Sequence, residues 1–295
     1  MRKIIIGKHQ NEEIDGLFPE YPYVLHCINS KGIIAPWHWH EELEFCFVRR
    51  GTLRVTTTNK EYLFYQGEAF FVNSDILCTM EGTDEGENTL MDSHLFHPVF
   101  LSGHFKSVYE TKYLDPVLKN RKLELLEIRG NNENQKEMLA LLKRAALLQV
   151  KSDAEFQTRN VFSEIWLLLL EELKEWEADT TPVKTLNQER VQTMMAFIHA
   201  NYGEKITLED IASSAAIGKR ECLRCFQSCI HKTPFEYLME YRIEAAGRLL
   251  KTTNESVAVI ALETGFSGEA YFCKVFKRIK GKTPGKWRRE KDYNR

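Results

Sequence analysis

Two groups of residues in this 295-residue chain have types and spacings that could do chemistry. The first is His38-Trp39-His40, followed after three residues by Glu44. Positions 38, 40 and 44 share parity, so from one strand region two imidazoles and a carboxylate can face the same side. Such a set can hold zinc or a similar divalent ion, or it can line a polar pocket without one. Pocket lining is the expected role, so no metal and no other cofactor is assigned; Trp37 and Trp39 then face the other way as packing aromatics. The second group is residues 256–289, SVAVIALETGFSGEAYFCKVFKRIKGKTPGKWRR, which reads as helix, tight turn, second helix and basic tail. From Lys274 to Arg295, ten basic side chains are opposed only by Glu290 and Asp292. A run of that kind is suited to gripping a polyanion in a salt-dependent way. Two further sets carry less. His94 and His97 sit at a strand end beside Pro98, and Cys222, Cys225 and Cys229 share one helical stripe and read as core thiols rather than metal ligands.

The bulk numbers frame these groups. The chain is long enough for two domains. Its formal net charge of −2 is unevenly spread: residues 186–295 hold 19 basic and 13 acidic side chains, residues 1–185 hold 21 and 29. The C-terminal part is therefore the one expected to meet a polyanion. Seven cysteines without regular spacing point to a reducing compartment. The charged start is no signal peptide, and the longest apolar run, Ile165–Leu170, is too short for a bilayer, so a cytoplasmic protein without membrane association is expected.

The elements that must position these residues change character along the chain. Short β-branched and aromatic runs at Tyr23–Ile28, Leu43–Val48, Thr52–Thr57, Tyr62–Tyr65 and Ala69–Val72, punctuated by Gly32, Gly51, Gly67 and Gly82, predict a small antiparallel barrel or jelly roll. Residues 83–110 are expected to leave it. From about Asn131 the period is helical: Met138, Leu141, Leu142, Ala145 and Leu148 form one stripe. After a Ser152-Asp153 cap, Phe162, Trp166, Leu169, Leu173 and Trp176 form a short heptad seam. That seam packs on the preceding helix and the barrel, and a dimer interface is expected through the same region. A polar stretch with a proline, residues 179–186, reads as a linker. Beyond it an internal repeat appears: Ile211-Ala212 recurs as Ile260-Ala261 at 49 residues, and Phe226 and Lys232-Thr233-Pro234 recur as Phe276 and Lys282-Thr283-Pro284 at 50. Each copy reads as short helix, turn and longer helix, the Thr-Pro pair ending it. Thr207 and Ser267 are the expected caps. A helix over Phe235–Leu250, roughly 24 Å long, separates the copies.

Residues 187–295 resemble the DNA-binding domain of the AraC/XylS family of bacterial transcription regulators, most closely over IALETGFSGEAYFCKVFKRIKGKTPGKWRR. The spacing Gly32, five residues, His38-Trp39-His40, three residues, Glu44, six residues, Gly51 resembles the first signature of the cupin family. The second signature, beginning at Gly67, is degenerate, with Asn73 where the family has proline and Cys78 where it has its last histidine. These resemblances imply an α+β multidomain chain. It would comprise an effector-sensing cupin-like antiparallel β-barrel (1–110), a helical dimerisation and coupling region (111–178), a linker (179–186) and an all-α domain with two helix-turn-helix units (187–295). They imply a non-enzymatic, sequence-specific regulator, an activator in the first instance. Its expected partners are double-stranded promoter or operator DNA, a small-molecule effector with sugars as one candidate class, a second copy of itself and, for an activator, RNA polymerase. His38, His40, Glu44 and Cys78 would line the effector pocket. By family match Arg220, Leu223 and Arg224 face the groove from the first unit, with Lys219 toward phosphate; Gly268, Glu269, Ala270, Tyr271 and Lys274 do so from the second, and Lys277, Arg278, Lys280 and Lys282 grip the backbone. Arg220 and Arg224 assign base reading chiefly to the first unit. The alternatives are a metal-dependent cupin enzyme with an appended helical domain, and a DNA-binding protein that needs no ligand.

Overall fold

The computed structural model describes residues 4–6, 12–14, 16–83, 88–120, 122–175 and 185–289. Most of the expected linker, Trp176, the acidic stretch 84–87 and the last six residues with Glu290 and Asp292 lie outside them. The chain divides into two compact units that part between Lys184 and Thr185. Among the described residues no helix is long and apolar enough to cross a membrane.

The first unit is built on strands β1 (Ile4–Ile6), β2 (Glu12–Ile14), β3 (Tyr23–Ser30), β4 (Gly32–His38), β5 (Leu43–Arg50), β6 (Thr52–Thr57), β7 (Glu61–Tyr65), β8 (Ala69–Val72), β9 (Cys78–Gly82) and β10 (Thr89–Phe96), with β11 (Leu125–Ile128) added later in the chain. β1 and β2 pair with each other; the rest form two antiparallel sheets ordered β11-β8-β5-β10-β3 and β4-β9-β6-β7. The chain repeatedly passes from one sheet to the other. Three of the corners carry a glycine at positive φ: Gly32 at 66°, Gly51 at 83° and Gly67 at 93°. Only glycine enters that region without steric cost, which is why glycines mark the corners. Cys46, Val48, Phe70, Val72 and Met91 from the first sheet meet Leu53, Val55, Phe64 and Met80 from the second in one core.

The five-stranded sheet is also covered on its other face. Short helices α1 (Val99–Ser102) and α2 (Asp115–Leu118) lead through β11 to α3 (Glu133–Leu148) and α4 (Glu155–Glu175). The stripe Met138, Leu141, Leu142, Ala145 and Leu148 packs with Val161, Phe162, Ile165, Trp166 and Leu169 against Tyr23, Leu43, Phe45, Phe71 and Phe96. The seam of α4 is thus consumed inside the unit. Trp166 stands edge-on to Phe71, and its indole N–H donates to the Tyr113 carbonyl at 3.0 Å. Three expectations need correction. Residues 83–110 do not leave the barrel: β10 lies between β5 and β3, near the sheet's centre. β11 joins the sheet from within the region read as helical. And α4 begins at Glu155, with Asp153 in the left-handed region rather than serving as a cap.

The second unit is helical: α5 (Thr185–Asn201), α6 (Leu208–Ser214), α7 (Lys219–Ile230), α8 (Pro234–Thr252), α9 (Val257–Glu263), α10 (Glu269–Lys280) and α11 (Pro284–Arg289). α6 and α9 are offset by 49 residues, α7 and α10 by 50, so the inserted residue lies in the second turn. The turns match at the backbone level: Ala216 and Gly265 both have positive φ, 53° and 79°. Thr207 caps α6 in a reciprocal box with Asp210, and Ser256 caps α9 through Val259 N–H. The Thr-Pro pair does not end a helix. Thr233 N-caps α8 with Glu236 in the return bond and Pro234 in the first turn, while α7 stops at left-handed His231. That use of proline follows from its missing N–H, which a helix start does not need. Nor does Ser267 cap α10; Gly268 holds that position without a side-chain bond.

Candidate nucleic-acid interface and barrel site

Each longer helix of the repeat buries one stripe and presents the opposite one. On α7, Cys222, Cys225, Phe226 and Cys229 are buried, so the three thiols are core atoms. Lys219, Arg220, Leu223, Arg224 and Gln227 are exposed. On α10, Phe272, Val275 and Phe276 are buried, and Glu269, Ala270, Tyr271, Lys274, Lys277 and Arg278 are exposed; Gly268, half-buried, precedes them. All the side chains named for the groove therefore lie on outward stripes. The two stripes are the same helical positions 50 residues apart, which a 3.6-residue period and one duplicated core require.

Their electrostatics differ. Arg224 is held by Glu221 one turn earlier, with Nε donating at 2.8 Å and Nη2 at 2.5 Å. Glu221 also receives Arg190 at 3.1 Å. That fork raises the guanidinium pKa further and lowers that of the Glu221 carboxyl. Lys219 pairs with Glu209 on α6 at 2.5 Å. On α10 and α11 the basic run splits. Lys280 is turned inward, paired with Glu244 and lying 5.0 Å over the Trp287 ring, so it is not part of an outward grip. Arg288 is spent on the Leu250 and Glu255 carbonyls. Lys274, Lys277, Arg278, Lys286 and Arg289 remain on the surface.

In the first unit, His38 ends β4, His40 lies in the loop that follows and Glu44 is the second residue of β5. The three do not share a strand, as parity had suggested; the corner between the sheets brings them together. Their ligand-type atoms lie within 4.8 Å of one another, and all three residues are buried. Each imidazole Nδ1 bonds a backbone carbonyl, Pro36 at 2.7 Å and Glu42 at 2.9 Å. In the neutral rings this makes Nε2 the acceptor. His40 Nε2 is 3.6 Å from Glu44 Oε2, and Ser93 from β10 donates to Glu44 Oε1 at 2.5 Å. The Asp75 N–H bonds the His40 carbonyl and the Ser74 hydroxyl bonds the Glu41 carbonyl, pinning the loop. Burial pushes the nearby Glu42 carboxyl up, with His40 opposing.

Cys78 corrects the expected fourth member. It stands across the β4–β9 ladder from His38. Its side chain packs in the apolar core, and it is not among the converging donors. Ser93 takes the fourth place instead. Sequence reading missed it because β10 was not recognised as a strand. Trp37 and Trp39 are buried, as packing aromatics should be. His94 bonds the Tyr23 hydroxyl at 2.8 Å, and His97 accepts from Val99 N–H at 3.2 Å, so each has a structural partner. The set His38, His40 and Glu44 fits a divalent ion chemically. Its tautomers are fixed by outer carbonyls, and tetrahedral bonds of 2.0–2.1 Å need donors roughly 3.3 Å apart, close to the His40–Glu44 separation. Three ligands leave a coordination position open. The same groups also make a polar floor for a small molecule with hydroxyl or amino groups.

Comparisons with known proteins agree with both halves. A helix-turn-helix domain model matches residues 211–290 and a cupin domain model matches residues 24–91. The HTH-type transcriptional regulator YdeC of Bacillus subtilis is 28% identical over 87% of this chain and 86% of its own length. The HTH-type transcriptional regulator AlkR of Acinetobacter baylyi is 30% identical over 41% of this chain, which spans 38% of that protein. Among solved structures, ToxT from Vibrio cholerae superposes with a TM-score of 0.51 at 14% identity, covering 90% of this chain and 98% of that one. A second ToxT structure, with an unsaturated fatty acid bound, gives 0.50 at 14% identity, with coverages of 90% and 95%. At that identity the likeness is one of fold.

Proposed function

This chain belongs to the AraC/XylS family of transcription regulators, with a cupin-type barrel ahead of its helix-turn-helix domain, and we propose that it is a sequence-specific activator governed by a small molecule in that barrel. The observation that carries the DNA-reading half is the duplicated outward stripe on α7 and α10, with matching cores beneath. In this reading Arg220, Leu223 and Arg224 supply base discrimination, and Lys219 meets phosphate. Gly268, Glu269, Ala270, Tyr271 and Lys274 line a second groove contact, while Lys277 grips the backbone. The effector half is supported by the enclosed cluster of His38, His40, Glu44 and Ser93, and by a ligand-bound relative of the same fold. Domain roles follow the division expected from sequence, with β11 added to the barrel. The protein acts in the cytoplasm as a homodimer, recruits RNA polymerase and performs no catalysis.

Footprinting and binding titrations on duplexes selected from a random library test this. Arg224→Ala should lower affinity for the selected sequence by about tenfold or more and leave random DNA nearly unchanged, a loss in the range of one base contact. Lys277→Ala should weaken both alike and reduce the salt slope by about one counterion. Equal losses on selected and random DNA for Arg224→Ala would remove its base-reading role. The convergent donors favour one second reading, a metal-dependent barrel. Stoichiometric metal in the purified protein that disappears in His38→Ala and His40→Ala would support it, and a metal-free protein with intact DNA binding would sink it.

A further inference from the structure

Arg242 sits in the middle of α8, only 6% exposed, in a position where no base or phosphate could reach it. Its guanidinium is spent on backbone. Nε donates to the Tyr202 carbonyl and Nη2 to the Glu204 carbonyl, both at 2.7 Å. These carbonyls belong to the loop that leaves α5 and enters the first helix-turn-helix unit. The same guanidinium faces the turn of the second unit, with Cζ 6.0 Å from the Phe266 ring centre. The fit is close. A Cβ on Gly265 would lie 2.5 Å from the Tyr202 oxygen and 2.6 Å from Arg242 Nη2, and one on Gly203 would lie 2.9 Å from the Glu263 carbonyl. Two backbones, 202–204 and 263–265, thus approach each other at glycines with one planar cation between them. Among the described residues no carboxylate pairs with Arg242; burial lowers its pKa, and carbonyl dipoles supply the compensation. A buried cation with no ion-pair partner is a costly way to fill space, and an apolar side chain would pack α8 more cheaply. What the fork provides is a directional tie between elements of both units.

We propose that Arg242 is a positioning residue that fixes the placement of α10 relative to α7, and so sets the spacing between the two DNA half-sites the chain accepts. This rests on the DNA-reading function above. Loss of the tie leaves each unit's own core intact and lets the second recognition helix swing. The full-length wild type first selects duplexes from a random 40-bp library, and footprinting locates the segments under each unit. Affinities are then measured for the selected duplex, for versions with one or two base pairs inserted between the segments, and for one with the second segment scrambled. Wild type should lose about tenfold or more per inserted pair, since each insertion turns one site away from the other. Arg242→Gln and Arg242→Lys should both flatten that preference to within about threefold, because neither makes the two-carbonyl fork. Both should bind the scrambled duplex as wild type does. A ratio between duplexes cancels any loss of folded protein, so a merely destabilised variant would keep the wild-type preference. Retention of that preference by either variant overturns the inference. A wild type that selects no sequence at all overturns the DNA-reading function instead.

Discussion

His94 and His199 are buried imidazoles in the two separate units, and both are held neutral. Burial lowers each to about 3, with Arg248 adding to the effect at His199. His94 rests on Tyr23 and lies 5.3 Å from the Phe162 ring; His199 bonds the Tyr237 hydroxyl at 2.5 Å and stacks 4.1 Å from Tyr241. In the unfolded chain each titrates near pH 6.5. Between pH 6.5 and 3 the unfolded state therefore binds more protons, so the stability these residues contribute is complete above 6.5 and lost as pH falls. The expected slope is up to about 1.4 kcal/mol per pH unit for each histidine. Urea unfolding between pH 7.5 and 5 should show that fall, and His94→Gln should remove about half of the histidine-dependent part. A slope unchanged in His94→Gln would show that His94 is already protonated in the native unit. At this scale sequence reading had mixed reach. The Glu221–Arg224 fork follows from a three-residue helical spacing and was readable. The Ser93–Glu44 bond depends on a strand pairing that no local pattern announces.

Elements whose one face meets water were legible, and elements covered on both faces were not. β6 alternates buried and half-buried residues, and its predicted bounds match the observed strand. β5 instead buries six residues in succession, Leu43–Val48, because one face meets the opposite sheet and the other meets α3 and α4. β10 is treated the same way, so its sequence shows no period of two and it was read as leaving the barrel. The stripe of α3 was read correctly, since a helix against a sheet keeps a polar side. The double sharing also concentrates energy in α4. Phe162 touches Tyr23, Phe45, Phe96 and Phe100 at once. Phe162→Ala should cost the first unit about 3–5 kcal/mol. Thr233→Ala, which removes only the α8 cap, should cost the second about 1 kcal/mol. Chemical denaturation of the two variants checks the contrast. Equal losses would mean that the aromatic cluster collapses around the missing ring.

At the scale of the molecule, the helical layer of the first unit must answer for any self-association. The α4 seam that suggested a dimer is turned inward, with Phe162, Ile165 and Leu169 fully buried. A second copy would have to meet different residues, and the α3–α4 layer offers them. Leu147, Val150 and Phe156, around the connection between the two helices, are 68%, 86% and 76% exposed, and Leu167 further along α4 is 56% exposed. Large side chains this open are costly to leave in water when they gather on one layer. A two-fold contact needs only one such patch, because the same surface serves both partners. A sensor that works by rearranging protomers also requires that its dimer contact lie on the unit that holds the effector. The pair Val150→Asp and Phe156→Asp, made together, should convert a dimer to a monomer in sedimentation velocity. Neither residue supports the core, so the thermal midpoint should move by no more than about 2 °C. Affinity for a single selected site should hold while binding to a paired, inverted arrangement of sites falls steeply, since the linked second copy no longer raises the local concentration. A variant that still sediments as a dimer would place the interface elsewhere, and the α3–α4 layer would then serve only to cover the sheet.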